Sequence, residues 1–181
     1  MPSLERECGS DCTTICADGK RATATAADLA KEALTMSDWR ELASDAEIDE
    51  FVECFGNFHD GCIKEAFVWT GHCVAPDLSM TVEPWVNFRV LFQRQAKLPS
   101  AVEMVFHGLG ELRWLPPPPN FDHIIFEAWL YWSGEQLVWA NAPPGEKPDL
   151  LISARRLWCR DASDWMGSEL RLGPNWTPQL A

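Results

Sequence analysis

Two hydrophobic periods divide the chain. Ile48, Phe51, Val52 and Phe55 fall at i, i+3, i+4 and i+7, one apolar face of a helix. Ser44-Asp45-Ala46-Glu47 in front of them reads as a capping box, and Gly56 stands where a left-handed C-terminal cap belongs. A helical stretch from Ser37 through Trp39 and Leu42 is expected to lead into this helix. Ala-rich Thr23 to Leu34 is expected to form another short one.

After Gly56 the period moves toward 2, the repeat of a strand. Ile63, Glu65, Phe67 and Trp69 alternate with Cys62, Lys64, Ala66 and Val68. Both sets carry apolar residues, which predicts a central strand or one covered on both sides. Val86, Phe88, Val90 and Phe92 alternate with Asn87, Arg89 and Gln93, as a half-buried strand should, and Pro84 marks its start or an edge. Val102, Met104 and Phe106 oppose Glu103 and His107; Gly108 and Gly110 then predict a bulge before Glu111 to Leu115. Pro116 to Pro119 form a stiff connector. His123 to Trp132 reads as a fourth strand, Ser133 to Gln136 as a turn, and Leu137 to Ala140 as the return. A Pro-rich loop over 141–149 precedes the last strand, Leu150 to Arg160.

The strand connectors are too short or too rich in proline for helical crossovers, so the strands should be antiparallel. The expected fold is α+β, an antiparallel meander of about six strands preceded by one or two N-terminal helices. Residues 1–22 read as a flexible tail, 23–165 as a single domain, and 166–181 as a C-terminal tail docked by Trp165 or Trp176.

Composition adds two features. Ten Trp against one Tyr imply a large core, an aromatic binding surface, or both. The net charge of −12 is unevenly placed: residues 1–60 hold 14 acidic and 5 basic side chains, the remainder 13 and 10. Such a balance disfavours direct nucleic-acid binding and suits a basic protein partner. The N-terminus has no apolar run of a secretory signal, and no stretch reaches the roughly 20 apolar residues of a membrane span. The chain is therefore expected to be cytosolic, with its seven Cys mostly reduced.

Candidate chemistry is sparse. Cys8, Cys12 and Cys16 share a helical spacing, but without a fourth ligand they read as tail thiols, and no metal or cofactor is implied. His59-Asp60 and His72-Cys73 flank a ten-residue strand of roughly 33 Å, too long to bring the pairs together. An adjacent His-Asp pair also marks all-helical phosphohydrolases, a pattern this sheet-rich chain departs from. His59 and Asp60 read instead as residues that orient the turn. No G-x-S-x-G elbow, P-loop or dinucleotide-binding glycine pattern is present. Two surfaces point to binding. Asp45, Glu47, Asp49, Glu50 and Glu53 crowd the capped helix with no basic residue between them, so Asp49, Glu50 and Glu53 are candidate contacts for a basic partner. Trp85, and Trp129 with Tyr131 on the face opposite Phe126, are candidate aromatic contacts.

The passage Phe55-Gly56-Asn57-Phe58-His59-Asp60-Gly61-Cys62-Ile63 resembles one in a group of small bacterial proteins. There a helix ends, a Phe-His-Asp turn follows and an antiparallel sheet begins. Some of that group are immunity proteins of polymorphic toxin systems, and many are of unknown function. The resemblance covers roughly 44–160, with Phe58-His59-Asp60 its specific mark; the first forty residues and Pro116–Pro119 lie outside it. It implies a protein-binding, toxin-neutralising role without catalysis, which acidity suits if the toxin is basic. The alternative is a small-ligand-binding protein or enzyme with a Trp-lined pocket in a curved sheet, using His59, His107 or His123. A homo-oligomer through the aromatic face is a third reading.

Overall fold

The computed structural model describes residues 39–97, 99–120, 122 and 124–172. The Ala-rich stretch over 23–34, Cys8, Cys12, Cys16, His123 and Trp176 lie outside these residues.

The helix, α1 (Asp45–Cys54), forms as its pattern dictates. Ser44 Oγ accepts from the Glu47 N–H at 3.4 Å, and Glu47 Oε2 accepts from the Ser44 N–H at 3.0 Å. Ile48, Phe51 and Phe55 are buried. Gly56 follows with φ of +55°. Arg94 lies over the Phe55 ring and donates to the Cys54 carbonyl, a cation at the helix's negative end.

Nine short and long strands follow the prediction in outline: β1 (Arg40–Glu41), β2 (Gly61–Thr70), β3 (Cys73–Val74), β4 (Met80–Thr81), β5 (Val86–Arg94), β6 (Ala101–Trp114), β7 (Trp129–Ser133), β8 (Gln136–Ala140) and β9 (Leu150–Asp161). All pairings are antiparallel. The main sheet runs β2-β5-β6-β9-β8-β7, with β1 also on β9. Hairpin β3–β4 stands apart and exposes Val74, Leu78, Met80 and Val82. The bulge expected near Gly110 appears as a register shift between Leu109 and Glu111.

Four expectations change. The sheet is not one meander. It is two, β2-β5-β6 and β7-β8-β9, and the connector after β6 carries the chain to the far edge. Crossing three strand spacings takes roughly 14 Å, well within that connector's reach. The longest late strand, β9, thereby takes the centre. Second, β2 is an edge strand, not a central one: Phe67 and Val68 are exposed, so its two-sided apolar pattern does not report two-sided burial. Third, residues 40–41 extend to pair with β9 rather than continuing a helix from Ser37. Tertiary pairing overrides a weak local preference there. Fourth, the strand expected over 123–132 is regular only from Trp129. The stretch before it follows the turn after α1, where Ile125 bridges Gly61 and the Ala128 N–H donates to Asn57 O.

One sheet face, the inner, packs under α1. Phe88, Val90 and Phe92 of β5 join Val102, Met104 and Phe106 of β6, Leu137 and Trp139 of β8, and Leu150, Ile152, Ala154, Leu157 and Cys159 of β9. Phe58 is its plug, with ring centroids 5.0 Å from Phe55, 5.0 Å from Phe92 and 5.6 Å from Trp139. Among the described residues, the outer face is covered at one corner. There Leu172, Ala162 and Trp165 pack on Leu91 and Ala101, and Glu65 accepts the Arg171 and Leu172 N–H groups. Residues 166–172 thus lie on the sheet.

Candidate functional site

The Phe-His-Asp turn is built for packing. Gly56, Asn57, Phe58 and Asp60 all have positive φ, a left-handed run that non-glycine residues adopt only when their surroundings hold them. The run drives Phe58 into the core. A Cβ on Gly61 would meet Phe58 O at 2.6 Å, so glycine is required. Asp60 accepts the Gln95 N–H through its backbone carbonyl. His59 Nδ1 and Asp60 Oδ2 lie 3.2 Å apart and face solvent. The pair sits at the turn and meets no other described histidine.

The acidic helix is less bare than its sequence. Asp49, Glu50 and Glu53 are exposed, but Arg40 reaches from β1 to Glu50 at 2.6 Å. The ion pair raises the Arg40 pKa. A basic partner gripped by the acidic helix together with adjacent aromatics would need Trp85 beside α1, and it does not lie there. Because α1 lies on the inner face and Trp85 belongs to the outer one, a single flat contact cannot span both. Phe126 is not part of β7 and is exposed; Trp129 and Tyr131 are half-buried, opposite the core residues Leu130 and Trp132.

Trp129 does join an acidic feature. A groove of about 400 Å³ opens where β6 leaves the sheet and β9 enters it. Leu115, Pro117, Pro118, Ile124, Phe126 and Trp129 form apolar walls, and Asp122, Glu127 and Asp149 supply carboxylates. None of the three forms an ion pair among the described residues. Helix α1 also packs beside β7, so both acidic surfaces adjoin that edge strand.

The outer face has different chemistry. Strand register aligns three rows across it: Trp69, Asn87, His107 and Arg156; then Phe67, Arg89, Val105, Trp158 and Glu41; then Glu65, Leu91, Glu103 and Arg160. Glu103 is fully buried and takes Arg89 Nε on one oxygen and Arg160 Nε on the other, the latter at 2.5 Å. Arg160 stacks between Trp39 and Trp165, at 4.9 and 4.8 Å. His107 sits between Trp85 and Trp158 and shares a 2.7 Å hydrogen bond with Asn87 Oδ1. Arg156 grips Glu41 through two bonds of 2.6 and 2.7 Å, which lowers the Glu41 pKa. Arg155 lies 4.6 Å from the Trp85 ring centre.

Sequence reasoning named Trp85 and His107 here but not the arginines or their shared Glu103. Arg89 alternates with the core residues of β5, and Arg156 and Arg160 with Leu157 and Cys159 of β9, but the inward set of β9 changes parity between Ala154 and Leu157, so period alone does not place Arg156. Nor does period show which strands neighbour one another. Of the described cysteines, Cys159 is buried in the core, and burial pushes its thiol pKa up to about 12. Among the described residues no group of three or more His, Cys, Asp and Glu side chains is arranged to hold a metal ion, and no helix is long and apolar enough to cross a membrane. Compared with family models, curated proteins and solved structures, the chain matches none of them.

Proposed function

We propose that this chain is a protein-binding module of immunity-like type that occludes a basic partner. The observation that carries the reading is the groove at the β7 edge. Its three carboxylates have no cationic partner among the described residues, and they sit against proline and aromatic walls. A lysine or arginine beside an apolar side chain satisfies both halves of that lining. The exposed acids Asp49 and Glu53 of α1 extend the same negative field near the same edge strand and speed encounter.

Pull-down from the source cell tests this with three baits: wild type, Asp122→Lys/Glu127→Lys/Asp149→Lys, and Asp49→Lys/Glu53→Lys. A basic protein should be recovered by wild type, lost with the groove variant and reduced with the helix variant. Equal recovery by all three baits, or recovery of acidic partners only, overturns the reading.

The groove's volume also lies in the range of small-ligand sites, which keeps a cationic small molecule as a second reading. Its Trp129 wall gives that reading a fluorescence signal. Saturable quenching by a small amine such as spermidine, abolished in the groove variant, would favour it over a protein partner.

A further inference from the structure

The outer sheet face carries a second site of opposite sign, and we infer that it binds an acidic peptide segment through Arg89 and Arg160. This rests on geometry independent of the groove.

Glu103 is the starting point. A fully buried carboxylate is tolerated when charge partners and hydrogen bonds surround it. Here each oxygen is held by one arginine, and in both cases the bond comes from Nε. That choice leaves the outward edge of each guanidinium, with its terminal amines, without a hydrogen bond among the described residues. The side chains of Arg89 and Arg160 remain 28% and 24% exposed. Two guanidiniums on one carboxylate also leave the trio with surplus positive charge. Its two forks are fixed in place from below, which is the preorganisation a carboxylate-binding pair needs.

The surroundings sharpen the ligand class. The three carboxylates in these rows are engaged: Glu103 by the two arginines, Glu41 by Arg156, and Glu65 by the backbone of 171–172. Arg155, stacked on Trp85, forms no ion pair among the described residues. A chain of net charge −12 thus gathers four arginines on one surface. Around them stand Trp39, Phe67, Trp69, Trp85 and Trp158, of which Trp39 and Phe67 are 42% and 37% exposed. These rings offer apolar contact beside the cations, the pairing found at interaction hot spots.

The rows cross β2, β5, β6, β9 and β1, roughly 19 Å at the spacing of strands, the length of about six extended residues. An acidic segment with apolar neighbours fits that width. The net charge of −12 repels any anion at long range, and it opposes a nucleic acid, charged at every nucleotide and without interleaved apolar side chains, more than a short segment that alternates carboxylates with apolar residues.

The test uses the full chain and three probes: the peptide acetyl-Glu-Phe-Glu-Phe-Glu-Phe-amide, its counterpart with Gln for every Glu, and a six-residue oligothymidine. Binding is read by quenching of tryptophan fluorescence and by calorimetry. The Glu peptide should bind saturably, and the Gln peptide at least about tenfold more weakly, as loss of one charge-assisted hydrogen bond implies. Arg160→Gln should cost a similar factor. Because that variant disturbs Glu103 and could unfold, Arg155→Gln serves as a second variant outside the trio and should weaken binding several-fold with an unchanged melting temperature. Equal affinity for the Glu and Gln peptides, no binding of either at millimolar concentration, or tighter binding of oligothymidine would each overturn the proposal. So would concentration-dependent dimerisation that occupies the face and is lost in Arg155→Gln, since the occupant would then be a second copy of the chain.

Discussion

The two faces of the sheet are built from the same strands and differ in almost everything else. On β5, Phe88, Val90 and Phe92 point inward and are buried, while Asn87 and Arg89 point outward and are half-buried. On β9, Leu157 and Cys159 point inward, and Arg156, Trp158 and Arg160 outward. The inner face is sealed by α1 and the Phe58 turn, so its side chains are chosen by shape and volume. Among the described residues, the outer face is sealed by 162–172 at one corner. Its single fully buried ion, Glu103, is matched by arginines, and the remainder stays in reach of a partner. Shape-selected packing therefore lies mainly on one side, and the arginines and most of the half-buried tryptophans on the other, with period-2 alternation separating them along most of each strand.

The contrast can be broken by mutation. Phe58→Ala should be the most damaging change, about 3–5 kcal/mol, because it empties the centre of the Phe55–Phe92–Trp139 cluster. Urea denaturation measures it, and a loss below about 1 kcal/mol would show that α1 does not seal the core as described. Glu103→Gln should come next, at about 3 kcal/mol or more, since two partly buried arginines lose their shared counter-charge. If that variant is as stable as wild type, the outer face is not organised around this carboxylate.

Smaller effects separate the local from the tertiary. Ser44→Ala should cost about 1 kcal/mol through loss of the α1 cap. Acid should act in the same direction. The Glu47 pKa is lowered chiefly by the Ala43 N–H and the Ser44 side chain, and that of Glu41 chiefly by Arg156. Both carboxylates titrate below their ordinary 4.5 in the folded chain, so their contribution is complete above that pH and fades as pH falls beneath it. Urea midpoints at pH 6 and pH 3 should fall together with this loss, and Glu41→Gln/Glu47→Gln should flatten part of the slope. Phe67→Ala on the exposed half of β2 should change stability least, within about 0.5 kcal/mol. A cost matching Phe58→Ala would mean that the outer face is a second core.

Much of this was legible in one dimension. The capping box, the four-residue apolar stripe, the alternation on β5, the glycine bulge in β6 and the β7–β8 turn are set by contacts within a few residues, so their patterns survive in the sequence. The candidate site was less legible. Asp49, Glu50 and Glu53 are visible as an acidic run, but Arg40 neutralises Glu50 from a strand ten residues away. Trp85 is visible as an aromatic, but its companions His107, Arg155 and Trp158 come from β6 and β9, up to 73 positions along the chain.

The sequence by itself determined which side chains the regular stretches present to their two sides, because backbone period fixes that wherever a strand lies; in β9 the inward set passes from Leu150, Ile152 and Ala154 to Leu157 and Cys159, a shift the period does not carry. Only the tertiary structure decided what those sides meet. The order β2-β5-β6-β9-β8-β7 places Arg160 beside Glu103 and makes β2 an edge. It also leaves Asp122, Glu127 and Asp149 around one groove. Strand order is a contest among distant pairings, and no local pattern records its winner.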